Sequence, residues 1–566
     1  MSVRAPGTAS RDLLLLLALG LLVLGAGLGA KEPWPADAPR FTLVAREMVA
    51  SGDWLFPRRG GELYSDKPPV FLWLQAAALA ATGSTRLAHQ LPSLLAALGC
   101  LALVADLGRR LWGGRAGLWS GLALLAIVQF PLQARSGQID ATLAFFTTLA
   151  LYGLARHLLL GPAWGWYAAA CAAMGVGVLT KGVGILPLLL LVPWAWGRRR
   201  GWTGLPRFSG GWKWATGPAL LLAVIAAWAV PMSLAASGSP ELAAYRDDIL
   251  LRQTVVRYAK AWTHTRPPWY YLVDVIPLLW FPATALLPWL VPAWRRQLRE
   301  RDGRLLVLLG WIVLVVAFFS LSRGKRDVYL LPAVPAVALA AGLHLPALWR
   351  AHAAQRTAFG LAFALALLPA AAAAAVLLGR VPANAVQAIG DPRGLLAPLG
   401  TATLLAAAAL LVRPPRGLLA LALALAGLWL LAGWWVAPRI DPYRSGAHLM
   451  ARVAAALPAG GELAMVRWRE QLLLHADRPV THFGFATPGA EQAAAAAEWL
   501  RGAPARRVLL PRELAAPCFE PATGIDLGTY HRIQWLLAGP AALAADCRPA
   551  TAVPRFVSPT HRPPPK

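Results

Sequence analysis

Residues 34–75 read WPADAPRFTLVAREMVASGDWLFPRRGGELYSDKPPVFLWLQ and lie just after the first apolar segment, ahead of nearly all the others. In a chain whose charged fraction is only 14%, this stretch gathers Asp37, Arg40, Arg46, Glu47, Asp53, Arg58, Arg59, Glu62, Asp66 and Lys67. Residues 40–48 have helical spacing, with Phe41, Val44, Ala45 and Met48 on one side and Arg40, Arg46 and Glu47 elsewhere. Pro68-Pro69 stops any helix and forces Lys67 into an extended backbone. Phe71, Leu72, Trp73 and Leu74 then read as a helix lying at a membrane interface. A charged loop pinned between a spanning helix and an interfacial one holds acids and bases at the bilayer surface. A solvated linker with ordinary surface charge is the alternative that composition leaves open.

The surrounding chain supports the membrane setting. Of its 566 residues 57% are hydrophobic, and the mean hydropathy is +0.52. That is too apolar for a soluble protein of this length, and long uncharged runs recur. A net charge of +27 would suggest nucleic acid in a soluble protein. Here the arginines sit mostly in short loops between apolar runs, so the positive-inside rule accounts for them and no nucleic-acid partner is expected. The predicted fold class is an all-α polytopic membrane protein with about thirteen transmembrane helices, followed by a small C-terminal α/β domain.

The first apolar segment covers residues 13–30, after Arg4 and Arg11. A cleaved signal peptide is the alternative, since Gly-Leu-Gly-Ala precedes Lys31, but the run is long and further spans follow. The other expected spans are 88–108, 116–133, 139–159, 164–180, 182–197, 214–236, 269–293, 304–321, 328–346, 357–379, 394–412 and 417–436. Arg109, Arg110 and Arg115, Arg198 to Arg200, Arg295 to Arg304, Arg350 and Arg356, and Arg413 and Arg416 then fall on one side, the cytoplasm, with the N-terminus. Residues 31–87, 133–140, Lys181, 240–268, 322–327 and the tail fall on the other. The expected domains are a membrane body, 1–437, and an outer domain, 438–566.

The tail mixes a strand-like piece at 462–466, a helical one at 491–500 and a short buried strand at 508–510. Its last dozen residues, rich in proline, read as disordered. Cys100 and Cys171 lie in apolar runs as plain core residues, whereas Cys518 and Cys547 lie in the tail and could pair in an oxidising compartment. No repeat of fixed period suggests an inverted-repeat transporter. No P-loop, dinucleotide motif or Ser-His-Asp signature suggests a nucleotide or a hydrolase triad.

What remains is ionisable residues at membrane boundaries. Asp37 opens the first outer loop, and Asp140 begins the span at 139–159; the topology lets them face one another. Either could instead be a helix N-cap or first-turn acid. Asp66-Lys67 could be a local ion pair, and Lys181 could merely snorkel. His264 stands before Pro267-Pro268-Trp269-Tyr270-Tyr271, in an outer loop re-entering the membrane; a lone histidine need not be a ligand. Residues 322–329, SRGKRDVY, put three bases and a tyrosine at an outer edge, against the positive-inside trend. An anionic ligand, with lipid phosphate the obvious one at that depth, explains such a violation.

In order along the chain, Asp37-x-x-Arg40, Ala45-Arg-Glu-Met48, Ser51-Gly-Asp-Trp54, Asp66-Lys-Pro-Pro69, Asp140, Leu179-Thr-Lys-Gly182, His264, Lys325 to Tyr329-Leu-Leu-Pro332 and Arg444-Ser445 form a specific string. It resembles bacterial membrane glycosyltransferases related to the protein O-mannosyltransferases and the lipid A aminoarabinose transferase, out to about residue 485. The resemblance implies the C-type glycosyltransferase fold in a bacterial inner membrane, an undecaprenyl-phosphate-linked sugar donor, and a lipid or protein acceptor at the periplasmic face. It implies Asp37 and Asp140 as catalytic carboxylates, and Arg40, Arg58, Lys67, Lys181, Lys325 and Tyr329 as the grip on the donor phosphate. Asp66 and His264 match positions that hold a divalent ion in relatives. The chain departs from the family pattern where Asp37-Ala38 stands for Asp-Glu and Asp66 for Glu, so the motifs reach the broad family and not one sugar. A transporter or flippase of lipid-linked sugars is the competing reading; it would want ionisable residues mid-span and two pseudo-symmetric halves.

Overall fold

The computed structural model describes residues 6–251, 265–545, 547 and 553–559. Among them, seven helices are long and apolar enough to cross a membrane: Thr85–Trp112, Ile139–Leu159, Lys213–Ala236, Gly303–Leu321, His352–Leu377, Pro392–Val412 and Pro414–Ser445. Tyr271–Leu279 and Thr284–Arg299 meet at 95° and make an eighth if taken as one broken span. The expected count was thirteen. The difference lies in length and continuity, since the remaining apolar segments are helical too. Residues 13–30 fall largely in the helix Pro6–Leu24, and 164–180 form Trp164–Lys181. Ala116–Ala126 and Asp327–Gly342 are shorter apolar helices. Beyond Lys181 the chain tightens into a 3-10 helix, Val183–Leu190, around Pro187 before Leu191–Arg199 resumes the α form. A proline inside a helix removes one backbone donor and crowds the preceding turn, so hydropathy alone overcounts continuous spans.

Ile139–Leu159 is the hub of the membrane body, with 78% of its apolar window buried; His352–Leu377, with 17%, lies at the rim. The rim helices touch through small residues. Ala358, Ala362 and Ala366 meet Ala406, Ala409, Ala420 and Ala424, the spacing that lets backbones approach closely in lipid.

The first outer loop folds onto this body in three pieces. Helix Ala38–Ser51 ends at Gly52, whose φ of 73° returns its N–H to the Met48 carbonyl. Strands β1 (Arg58–Arg59) and β2 (Glu62–Leu63) make a two-residue hairpin, and Val70–Thr82 is the second helix. Phe41, Val44, Ala45 and Met48 pack on Tyr64, Phe71, Leu72, Ala76 and Ile139, as the spacing predicts. The opposite face is buried as well: Arg46 is 7% exposed and Glu47 5%. It is buried by the tail.

The tail carries a mixed six-stranded sheet. Strands β3 (Leu463–Met465), β4 (Val480–His482), β5 (Arg507–Pro511), β6 (Ile525–Tyr530), β7 (Ile533–Ala538) and β8 (Phe556–Ser558) lie in the order β6-β7-β5-β3-β4-β8. β3 pairs in parallel with β4 and β5, and the outer pairings are antiparallel. Helix Gly489–Arg501 covers one face through Ala493, Ala496, Ala497 and Leu500. Cys518 and Cys547 are joined in a disulfide. Two expectations shift here. Residues 556–558, inside the stretch read as disordered, form an edge strand, because β4 offers an open ladder to pair with. The division expected after residue 437 falls inside the helical run Pro414–Ser445, and the chain turns only at Gly446, φ +84°. Apolar residues do end near 437. The helix continues because Asp441 and Ser445 are buried against the first loop: Asp441 Oδ1 accepts from the Glu32 N–H (2.9 Å) and from Trp34 Nε1 (2.7 Å).

Candidate active site

Asp37 sits at the N-cap position of its helix, yet its side chain makes no capping bond. Instead it faces Arg326, with Nη2 to Oδ2 at 2.8 Å, and Arg40, at 3.9 Å. Burial pushes its carboxyl up, but the Arg326 charge and hydrogen bond, then Arg40 and Lys67, outweigh that and hold it below the ordinary 3.8. Asp37 is therefore ionised at neutral pH. Asp140, in the first turn of Ile139–Leu159, takes the Lys181 ammonium at 2.5 Å; its side chain is 3% exposed. Lys181 Nζ also lies 4.6 Å above the Tyr329 ring. Arg326 feels Asp37, Asp140 and Tyr329 together, so both carboxylates, Lys67, Lys181, Arg326 and Tyr329 form one polar cluster. Residues as far apart in the chain as Asp37 and Tyr329 are brought to it.

Each member is held by its own element. Lys181 ends a helix that stops at Gly182, φ +50°, so its ammonium leaves the apolar layer beside Asp140. Arg326 lies in an extended loop tied from several sides. Its carbonyl accepts from the Tyr271 hydroxyl (3.2 Å), and Gly324 bridges to Thr265. Lys325 is part of that scaffold: only 4% exposed, it donates to the carbonyls of Arg266 and Ser322. The base of this loop that faces Asp37 is thus Arg326, next to the expected Lys325. Extended backbone alternates its side chains, so if Lys325 turns in to staple the loop, Arg326 turns out to Asp37.

Arg40 reaches back from Asp37 to Glu470 of the tail, Nε to Oε1 at 3.2 Å, and Arg59 meets the same carboxylate at 3.6 Å. Arg58 stands apart. It bonds the Gly61 carbonyl (3.0 Å) and lies 3.5 Å from Glu241, away from Asp37. Lys67 donates to the Asp66 carbonyl (3.0 Å) and adds its charge to the field at Asp37. Asp66 lies near the Tyr64 hydroxyl, and its expected companion His264 lies outside the described residues. Among the described residues no group of three or more His, Cys, Asp or Glu gathers as metal ligands.

The hairpin couples the site to the tail. Gly60 and Gly61 both have positive φ, 68° and 87°, the requirement of a tight two-residue turn. Their N–H groups donate to the Glu47 carboxylate at 2.8 and 2.9 Å. The Gly60 carbonyl accepts from His482 Nε2 (2.5 Å), and a Cβ on Gly60 would come within 2.9 Å of that nitrogen. Arg46 donates to the carbonyls of Leu473 and Leu474, and Arg59 lies 3.8 Å over the Phe485 ring. Sequence reasoning missed Glu470 and His482 altogether. A glutamate in a tail gives no local sign that it will meet an arginine 430 residues away.

Comparison with known proteins fits this arrangement. A family profile described as dolichyl-phosphate-mannose-protein mannosyltransferase matches residues 66–230. The undecaprenyl phosphate-alpha-4-amino-4-deoxy-L-arabinose arabinosyl transferase of Pseudomonas aeruginosa is 32% identical over 345 residues, 58% of this chain and 58% of that protein. The crystal structure of ArnT from Cupriavidus metallidurans bound to undecaprenyl phosphate superposes with a TM-score of 0.71 at 24% identity, covering 93% of this chain and 97% of that one. The archaeal oligosaccharyltransferase AglB from Archaeoglobus fulgidus gives 0.50 at 15%, covering 89% and 69%.

A multi-pass helical membrane body with a cluster of carboxylates and bases at one rim and a small sheet domain beyond it is the architecture of the C-type glycosyltransferase fold. Within that fold the chain is similar in sequence to the protein O-mannosyltransferase profile over residues 66–230 and to bacterial undecaprenyl-phosphate aminoarabinose transferases over 345 residues. The match spans less than two thirds of the curated relatives' length.

Proposed function

We propose that this protein is an inner-membrane glycosyltransferase that moves a sugar from an undecaprenyl-phosphate-linked donor to an acceptor at the periplasmic face. The acceptor is lipid A or another glycolipid, or a protein hydroxyl. The names of the relatives favour a pentose, an aminoarabinose, over a hexose. The observation that carries the reading is the joining of Asp37, Arg326, Asp140, Lys181, Tyr329 and Lys67 in one cluster.

The chemistry follows from that cluster. The bond between the sugar C1 and the donor phosphate oxygen breaks, and its electron pair leaves with the polyprenyl phosphate. Cations that face the phosphate stabilise the charge gathering there, so no nucleotide is needed. Lys67, Arg40, Lys181 and Arg326 serve this role, with Tyr329 backing Lys181. The acceptor oxygen bonds to C1, with inversion expected by analogy. An acceptor hydroxyl gives its proton to Asp37, which is ionised and so able to take it; an acceptor phosphate has none to give.

With a cytoplasmic N-terminus and an odd number of crossings, this cluster and the tail lie on the periplasmic side in this reading. The lysine and arginine distribution supports that register, and so does a disulfide in the tail, which persists in an oxidising compartment. The test is transfer from radiolabelled undecaprenyl-phosphate sugars to lipid A by the purified protein. Where the accepting group is a hydroxyl, Asp37→Asn should lower the rate by about 10²–10⁴-fold. Undiminished transfer by that variant would remove Asp37 from the reaction.

A further inference from the structure

We propose that Lys31 and Arg444, on the Trp34 ring, together with Arg135, on the Trp429 ring, form a second anion site that takes the phosphate of the acceptor lipid's headgroup. The inference rests on the glycosyltransferase reading above. Lys31 Nζ lies 4.5 Å from the centre of the Trp34 ring and the Arg444 guanidinium 5.0 Å from it. Arg135 stands close enough to Lys31 for its charge to be felt there; it donates to the Trp429 carbonyl at 2.9 Å. A Cβ on Gly433 would come within 2.3 Å of Arg135 Nη2, so a glycine in the last span leaves room for this arginine.

Charge balance sets this group apart from the first one. In the Asp37 cluster Arg326, Lys181 and Arg40 each face a carboxylate. Among the described residues none of Lys31, Arg135 and Arg444 has a carboxylate within ion-pair distance, and Arg444 Nε is buried without a partner. The two nearby acids are already engaged. Glu32 takes Arg86 Nε at 2.8 Å and the Thr85 hydroxyl at 3.2 Å, and Asp441 takes Trp34 Nε1 and the Glu32 N–H. Burial first, then Arg135 and Arg444, push the Lys31 ammonium down to about 8. Three half-buried cations crowded together call for an anion to complete them. Trp34, Trp429 and the end of the last helical run put the group at the level of lipid headgroups. The donor phosphate has its own cations. A reaction between two membrane-bound substrates needs a second foothold, and the anion that fits it is the phosphate of the acceptor.

The test measures binding to the purified full-length protein in detergent, with diphosphoryl lipid A in one arm and undecaprenyl phosphate in the other. Arg444→Gln and Lys31→Met should each weaken lipid A about tenfold, the effect of one lost charge-assisted contact, and leave undecaprenyl phosphate within about twofold. Arg326→Gln should do the reverse. Dephosphorylated lipid A should bind the wild type as weakly as diphosphoryl lipid A binds Arg444→Gln. Equal loss in both arms, no preference for the phosphorylated form, or phosphatidylglycerol competing as well as lipid A would overturn the proposal. Failure of the wild type to bind undecaprenyl phosphate would instead strike the glycosyltransferase reading, while phosphate-dependent lipid A binding would still stand.

Discussion

Asp37 and Arg326 face each other at 2.8 Å, and the pairing makes the site's pH response a property of the arginine. The carboxylate is held below 3.8 against its burial chiefly by the Arg326 charge. A depressed carboxylate pKa contributes stability above the unfolded value, and that contribution is lost as pH falls through the folded one. The acid limb of the rate should therefore lie below the usual aspartate range in the wild type. Arg326→Gln should move that limb upward and raise KM for the donor. Arg326→Lys should rescue it only in part, because an ammonium lacks the planar fork. A limb unmoved by Arg326→Gln would sever the two residues. These positions also show what local reading can reach. The violation of charge asymmetry at 322–329 pointed to the loop whose Arg326 meets Asp37, and the family string pointed to Lys325. Which of two adjacent bases faces the carboxylate depends on Lys325 finding the carbonyls of Ser322 and Arg266, 59 residues away.

At the level of single elements, the β1-β2 hairpin is the joint between loop and tail. Gly60→Ala must hold φ near +68° and bring a methyl against His482 and Trp468. It should cost about 1–2 kcal/mol of unfolding stability, read as a lower thermal midpoint and faster proteolysis of the tail. His482 supplies a pH dependence of its own. Burial first, and Arg59 with it, lower its pKa from 6.5 to about 4, against the bond to Gly60. Its Nδ1 lies 3.8 Å from Glu62, and its ring lies between Trp468 and Phe556. The unfolded state binds the extra proton, so stability should fall as pH drops from 6.5 toward 4, by on the order of 3 kcal/mol. His482→Gln should flatten that slope. The two helices of the loop were legible because Phe41, Val44, Ala45 and Met48 keep a 3.6-residue period. The burial of their far side was not, since Arg46 and Glu47 look like solvent-facing charge until the tail's carbonyls and Ser558 meet them.

Across the whole molecule, topology is the sharpest open test. A cysteine at the exposed Glu498 should react with a membrane-impermeant maleimide in intact cells, and one at Arg200 only after lysis. The opposite pattern would invert the orientation. The disulfide should matter to the tail alone: replacing Cys518 and Cys547 by serine, 29 residues apart, should remove about 3–4 kcal/mol from that domain. The apolar segments were legible by hydropathy, and each forms helix. Which of them run as one long straight helix was not, because Gly182, Pro187 and the 95° break near Phe281 turn runs of uniform hydropathy into bent or tightened pieces. The tail read as a small α/β unit, and its strands at 463–465 and 507–511 lie where the sequence put them.

Arg40 is braced by Glu470, a residue made some 430 positions later. During synthesis the hydrophobic helices enter the bilayer one after another, and the early loop waits beside them with this brace missing. A ribosome that stops before residue 470 would leave behind an inserted but unassembled product. The tail thus acts as a check on translation: only a polypeptide that extends past residue 470 can set Arg40 against the Glu470 carboxylate.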